Sequence, residues 1–419
     1  MKKRNLLWLL IAFLFATNTK TQLNYVDQQY NFVKEASVLY GVDNQYNGAN
    51  TNLYMDIYKP VGDNNTSRLI LMFIHGGGFV QGTRQEMDQM CIDFAKRGYV
   101  TATIDYRLGF YQPSFYHHLL LTIRQRWCGL PRAVQDAHGA MRFLKGRAAQ
   151  DSSNVNLAFV GGASAGSITA MHMTYVDKLA EEPPAAGSIS NVVTNTLNVP
   201  RPALGSIFGV LNQNGQNSQV QAVVNIFGAL LDTLLIETAN DVPLFSYHQT
   251  GDPVVACDNK KGLWGMPLGI GQNYPYLYGS CSIEPRMQTL GFTAQHYQSI
   301  IYTGNTHGIH DAVLLDTTAA IFLAQRIQEI FSISIPESKQ LIATVFPNPA
   351  NNIITIQTNV LDGVTVSIYD AMGKLCFDDN VTSSEPSFNI STASLNSGLY
   401  TLKVTSNKSE LVRKVLIIH

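Results

Sequence analysis

The sequence predicts an α/β fold, a mostly parallel sheet with helices on both faces, followed by a small all-β sandwich. Between Ser67 and Phe331, near-continuous apolar runs of strand length alternate with helix-patterned segments, as strands buried on both faces require. Past Ser332 the pattern changes to short runs of alternating apolar and polar residues, separated by Asx, Ser and Gly turns, which indicates a separate sandwich. The chain has 419 residues, 45% hydrophobic and 14% charged, enough to bury a large core.

The chain opens with "MKKRNLLWLLIAFLFATNTKTQ", basic residues followed by an apolar run from Leu6 to Ala16. That run is too short for a comfortable membrane span, and residues 1–22 read as a secretory signal. Next, "NTNLYMDIYKP" alternates apolar and polar residues and ends at Pro60, as expected of an antiparallel edge strand. Core strands are expected at "RLILMFIH", "GYVTATID", "VNLAFVGG", "QAVVNIFG", "PLFSYHQT" and "YQSIIYTG". Helices are expected at "RQEMDQMCIDFAKR", "PRAVQDAHGAMRFLKG", Ile168 to Val176, "PRMQTLGFTAQH" and "DAVLLDTTAAIFLAQRIQEIF".

Two regions break this rhythm. Glu181 to Gln219, rich in Pro, Asn, Gly and Ser, reads as an insertion near the site, because long loops of this kind are usually functional. Asn259 to Ser282 carries Trp264, Tyr274, Tyr276 and Tyr278, which either wall a pocket or pack as surface aromatics. The expected organisation is a signal at 1–22, an α/β domain at 23–333, a polar linker at 334–340 and a β domain at 341–419.

The formal net charge of -1 and the lack of a basic stripe provide no field for a polyanion, so no nucleic-acid partner is expected. Of five cysteines, at least one stays unpaired. Cys257 and Cys281 flank the Gly- and Tyr-rich loop. A bridge there would add about 3 kcal/mol in the chain-entropy model, the alternative being buried thiols that pack as small hydrophobes.

Two glycine-rich strings carry the chemistry. "FVGGASAGS" places Ser164 between Gly162 and Gly166, after an apolar strand and before a helix; a tight strand-to-helix turn needs small residues at those places. Upstream, "HGGGF" spans His75 to Phe79 directly after the strand "LILMFI". Three consecutive glycines let backbone N–H groups point into a cavity, as an oxyanion hole requires, and His75 is expected to brace the loop.

With these strings in place, the sequence resembles the α/β-hydrolase family and, within it, the HGGG-bearing carboxylesterases and lipases. The resemblance runs from about Leu53 to Phe331 through "LYMDIYKP", "FIHGGGF", "AKRGYVTATIDYRLG", "AVQDAHGAMRFL", "GGASAG", "HQTGDPVV" and "YTGNTHG". It implies a triad in the order serine, acid, histidine. In that order Ser164 takes the place of the nucleophile, and Asp252, after "PLFSY" and a Gly turn, matches the acid position, with Asp258 as the alternative. His307, in the Gly-containing loop after the last strand, matches the histidine, with His310 as the alternative at the start of the final helix. The implied oxyanion donors are the N–H groups of Gly77, Gly78 and Ala165. Asp105 to Arg107 and Asp136 match family positions that usually hold charged scaffolding, and Arg107 reads as a partly buried member of an ion pair rather than a substrate ligand.

The implied activity is that of a secreted serine carboxylesterase needing no cofactor or metal, acting on a small-molecule or polymer-linked ester. Phe110, Tyr111, Phe115, Tyr116 and Trp127 hint at an apolar or aromatic acyl or alcohol group, leaving short-chain, plant cell-wall and polyester esters open. The alternatives are a serine peptidase of the same fold and a non-catalytic surface module. Against the first, only about 40 residues precede the first core strand, short of the extra β domain usual in such peptidases; against the second, every expected triad member is present.

The tail resembles the C-terminal sorting domain of type IX secretion, in "VFPNPANN", "VSIYDAMGKL" and "LNSGLYTLKVTSNKSELVRKVLI". That implies the type IX secretion machinery as a partner, export to the cell surface or outside, and removal of the tail afterwards. A carbohydrate-binding or adhesive β module is the alternative.

Overall fold

The computed structural model describes residues 25–419, apart from 46–47, 109–128, 184–188, 195–196, 202, 268–270, 272–273, 335–342, 359–363, 382–386 and 407–408. The expected signal at 1–22, most of the expected linker, Cys128 and the aromatic residues Phe110, Tyr111, Phe115, Tyr116 and Trp127 lie outside the described residues. The chain divides into two compact units, one up to Gln328 and one from Glu329.

The first unit is built on an eight-stranded sheet. Its strands are β1 (Asn31–Asn44), β2 (Asn50–Val61), β3 (Arg68–Ile74), β4 (Val100–Ile104), β5 (Ser153–Ala163), β8 (Val223–Ile226), β10 (Leu244–Gln249) and β13 (Tyr297–Tyr302), in the order β1-β2-β4-β3-β5-β8-β10-β13. From β4 to β13 every neighbour is parallel, while β2 pairs antiparallel with both β1 and β4. A hairpin, β6 (Ile189–Thr194) with β7 (Leu197–Arg201), precedes β8. Three short strands, β9 (Ala229–Leu230), β11 (Asn259–Lys261) and β12 (Tyr276–Gly279), form a separate antiparallel sheet.

Helices α1 (Asp88–Ala95), α2 (Gly129–Gly146), α3 (Ala165–Tyr175), α4 (Ser280–Leu290) and α5 (Ala312–Ser334) flank the sheet. Successive strand residues point to opposite faces. Thus Met72 and Ile74 of β3 join the cluster that includes Val134, Met141 and Met171 of α2 and α3. Phe73, between them, packs on Phe94 of α1 at 5.7 Å, and Phe245 of β10 meets Phe322 of α5 at 5.9 Å. Among the described residues, no helix is long and apolar enough to cross a membrane.

Two expectations are corrected. The strand ending at Pro60 is antiparallel but not an edge: β1 covers it, with Phe32 opposite Pro60. β1 is interrupted by register shifts after Glu35 and Leu39, and only Tyr40 along it is buried, so it lacks the clean alternation that marks a strand. Nor do the described residues of the Glu181 to Gln219 insertion line the site: none borders either cavity at Ser164. Its chain is held on the outside of α2, where Arg142 donates to the carbonyls of Leu211 and Phe208 at 2.9 and 3.1 Å and Gln135 donates to those of Leu204 and Ser206.

The second unit is a pair of antiparallel sheets. One contains β14 (Ala343–Phe346), β15 (Ile353–Thr358) and β18 (Ser387–Ser391); the other contains β16 (Val364–Tyr369), β17 (Leu375–Val381), β19 (Gly398–Ser406) and β20 (Ser409–Ile417). Alternate residues such as Ile354 and Ile356, Val366 and Ile368, and Leu402 and Val404 are buried together, as sandwich strands demand.

Candidate active site

β5 ends at Ala163, α3 starts at Ala165, and Ser164 stands between them at φ 54° and ψ −121°. A non-glycine residue with positive φ is costly and persists only where surrounding contacts over-determine it. Here the Ser164 N–H donates to the Ile226 carbonyl at 2.9 Å, tying the turn to β8. The flanking glycines permit the approach of strand and helix: a Cβ on Gly166 would sit 2.0 Å from the Ile74 carbonyl oxygen, and one on Gly162 would sit 2.5 Å from the Gly166 carbonyl carbon. Strain at the turn thus lifts one hydroxyl onto the rim of the sheet's carboxyl edge, where open α/β sheets place their ligands.

Two other strand ends converge on it. After β10, Asp252 is 1% exposed, and its Oδ1 accepts from the N–H groups of Val254 and Val255 at 2.8 and 3.1 Å. After β13, His307 bridges the two, its Nδ1 2.7 Å from Asp252 Oδ2 and its Nε2 2.8 Å from Ser164 Oγ. With Asp252 ionised, Nδ1–H donates to the carboxylate and Nε2 accepts the serine proton. The ring of Phe227 meets His307 edge-on at 4.7 Å. Burial opposes ionisation of Asp252, but the His248 ring beside it and hydrogen bonds from His307 and the Val254 amide outweigh that and hold the carboxyl below its ordinary value.

The alternatives lie elsewhere. The exposed Asp258 carboxylate pairs with Lys260 at 3.2 Å. His310 stacks toward Tyr302, and its N–H donates to the Tyr247 hydroxyl.

The "HGGG" loop follows β3. Gly77 and Gly78 take φ of 96° and 61°, in the left-handed region glycine adopts without penalty. Gly77 lines one cavity at Ser164; Gly78 and Ala165 line the other. His75 underpins the loop, stacked on Tyr106 at 4.4 Å with its Nδ1 2.9 Å from the Gly76 carbonyl, which also accepts from the Tyr106 hydroxyl. Burial pushes the His75 imidazole below its ordinary value, so it stays neutral and Nδ1–H donates.

Arg107 and Asp136 form a buried pair beneath this layer, with the guanidinium 2.8 Å from the carboxylate and the Arg107 amide donating to it at 2.7 Å. Burial outweighs the Arg107 charge and raises the Asp136 carboxyl; it also opposes the Arg107 charge, but the Asp136 carboxylate outweighs that and raises the guanidinium. The geometry is that of a bidentate scaffold contact.

One network was not visible in the sequence. Ser167 Oγ donates to Asn225 Oδ1 at 2.5 Å, and Asn225 Nδ2 reaches Ser246 and Ser280 at 3.1 and 3.2 Å. Ser280 Oγ meets His248 Nδ1 at 3.0 Å, and His248 Nε2 lies 2.8 Å from the Val255 carbonyl and 3.6 Å from Asp252 Oδ2. All five polar side chains are buried. The sequence shows a serine and a histidine within the strand string "PLFSYHQT" but not their partners.

The aromatic loop walls the site through Leu263, Tyr274 and Leu277 rather than through Tyr276, which is exposed. Trp264 contributes its Nε1–H to the Asp252 carbonyl at 2.7 Å. Cys257 and Cys281 form a disulfide between this loop and α4. Among the described residues, no group of three His, Cys, Asp or Glu side chains is arranged to hold a metal.

Residues 55–249 match the family model described as BD-FAE, and residues 344–418 match the secretion system C-terminal sorting domain. Among solved structures, the chain is similar to native esterase 2 of the planctomycete Thermogutta terrifontis, at 18% identity over 72% of this chain and 95% of that one, with a TM-score of 0.43. The propionate-bound form of the same enzyme matches at 18% identity over 72% and 94%, with a TM-score of 0.42. A truncated carbohydrate esterase from gut microbiota matches at 16% identity over 72% and 98%, with a TM-score of 0.46.

Proposed function

For a chain that carries a BD-FAE domain of the α/β-hydrolase type and a type IX sorting domain, we propose the function of an exported serine carboxylesterase. The observation that carries the reading is the position of His307, within hydrogen-bond reach of both Ser164 and Asp252. Such a chain of contacts makes a hydroxyl nucleophilic at neutral pH.

Ser164 Oγ attacks the ester carbonyl as His307 Nε2 takes its proton, and Asp252 stabilises the imidazolium. The N–H groups of Gly77, Gly78 and Ala165 receive the oxyanion; each such donor lowers the barrier by about 3 kcal/mol in comparable sites. His307 then protonates the departing alcohol, leaving an acyl group on Ser164. Water, deprotonated by His307, attacks that acyl group and releases the acid and the free serine. Residues 23–333 serve as the catalytic domain, residues 1–22 as the export signal, residues 334–340 as the linker and residues 341–419 as the sorting domain.

The test is hydrolysis of p-nitrophenyl acetate and butyrate, with labelling by a fluorophosphonate located by mass spectrometry. Ser164→Ala is expected to abolish both turnover and labelling while leaving the circular dichroism spectrum unchanged. Full turnover in that variant overturns the assignment.

A further inference from the structure

Two cavities of different size and chemistry meet at Ser164. One, of about 70 Å³, is lined by Gly78, Ala165, Leu130, Ile168, Leu263 and Leu277 among others, and among the described residues it has no charged side chain. The other, of about 420 Å³, contains Gly77, Ser164 and His307. Its walls combine Met87, Met90, Ile309 and Leu315 with the carboxylates of Glu86, Asp93 and Asp316.

The chemistry of the proposed reaction assigns each cavity one side of the ester. His307 must hand its proton to the departing alcohol oxygen and later activate water at the same place. The alcohol therefore leaves through the cavity that His307 lines, and the acyl group occupies the one it does not. The acyl cavity holds on the order of five water-sized groups, which fits a short acyl chain.

The alcohol cavity carries negative charge. Asp316 is paired with Arg97 at 3.2 Å, and Arg97, almost wholly buried, stands behind it and does not line the cavity. The carboxylates of Glu86 and Asp93 accept only from neutral donors, the Thr83 amide for the first and the Gln28 and Gln89 side chains for the second. Among the described residues, neither has an ion-pair partner. Within a cleft whose apolar walls focus the field, such charges act over a Debye length of about 8 Å.

Resting on the proposed esterase reading, we infer that this site divides its substrate by charge: a short neutral acyl group on one side, and on the other a neutral or cationic alcohol, with alcohols bearing a carboxylate rejected through Glu86 and Asp93. The apolar residues between the carboxylates add a surface for a substituted ammonium or a hydrophobic alcohol.

The experiment uses the full chain and acetate esters of alcohols of similar size: 2-(trimethylammonio)ethanol, 3,3-dimethylbutanol and 4-hydroxybutanoate. At low salt, kcat/KM is expected to be about tenfold or more lower for the anionic ester than for the neutral one, with the cationic ester equal to or above the neutral one. The spread should shrink in 0.5 M sodium chloride. In Glu86→Gln/Asp93→Asn the ratio of cationic to anionic kcat/KM should fall toward one. An anionic ester hydrolysed as fast as the neutral ester, or a ratio that survives the double substitution, overturns the inference. Hydrolysis of none of the three, or hydrolysis that persists in Ser164→Ala, defeats instead the esterase reading beneath it.

Discussion

His307 Nδ1 stands 2.7 Å from Asp252 Oδ2, and the other oxygen of that carboxylate is already filled by two backbone amides. The carboxylate is therefore fixed before the imidazole approaches, so a single tautomer of His307 is compatible with its surroundings. Asp252→Asn is expected to lower kcat by about 10³ to 10⁴, as replacement of the acid does when the wrong tautomer is favoured. Steady-state kinetics on p-nitrophenyl acetate check this, with His307→Ala inactive beside a His310→Ala that keeps turnover. Loss of activity only in His310→Ala would reassign the base.

His248 holds the acid from behind. With its Nε2 donating to the Val255 carbonyl and lying 3.6 Å from Asp252 Oδ2, it helps keep Asp252 ionised. His248→Phe is expected to raise the lower pKa of the kcat/KM profile and reduce activity by about tenfold, with KM little changed; an unaltered pH profile would make the contact purely structural.

The Cys257–Cys281 bridge closes a separation of 24 residues and ties the loop bearing Leu263 and Tyr274 to α4. In the chain-entropy model this is worth about 3 kcal/mol. Calorimetry of Cys257→Ser/Cys281→Ser should show that loss in the stability of the first unit. No change would mean that the packing of β11 and β12 suffices without the bond.

Acid should weaken the fold through His172. Its Nδ1–H donates to the Ile168 carbonyl, and its Nε2 accepts from the Leu231 amide, an arrangement that only the neutral ring satisfies. Burial pushes it down from 6.5 to about 4. Below pH 6.5 the unfolded chain binds a proton that the folded chain refuses. Stability therefore falls as pH drops from about 6.5 to about 4, by about 3 kcal/mol for this residue. Urea unfolding across that range is expected to show the slope, reduced by about one proton in His172→Asn.

How far the sequence carried the site depends on what each residue needs. Ser164 was legible because an elbow demands glycine at fixed offsets, and the Cβ clashes at Gly162 and Gly166 state that demand in distances. Asp252 and His307 were legible through family order. β1 was not, because its bulges break the alternation that marks strands. The His248 network was not, because a buried histidine among apolar residues carries no sign of whom it faces.

The sequence by itself determined the α/β and sandwich architectures and the turn that carries Ser164, and motif order singled out Asp252 and His307, the residues that meet it, since these follow from local periodicity, steric demands on single backbone positions and motif order. Only the tertiary structure decided which residues wall the two cavities, where the insertion lies, and that Glu86, Asp93 and Asp316 face the same space as His307. Those are relationships between segments far apart in the chain, set by how strands and helices pack, and no local pattern encodes them.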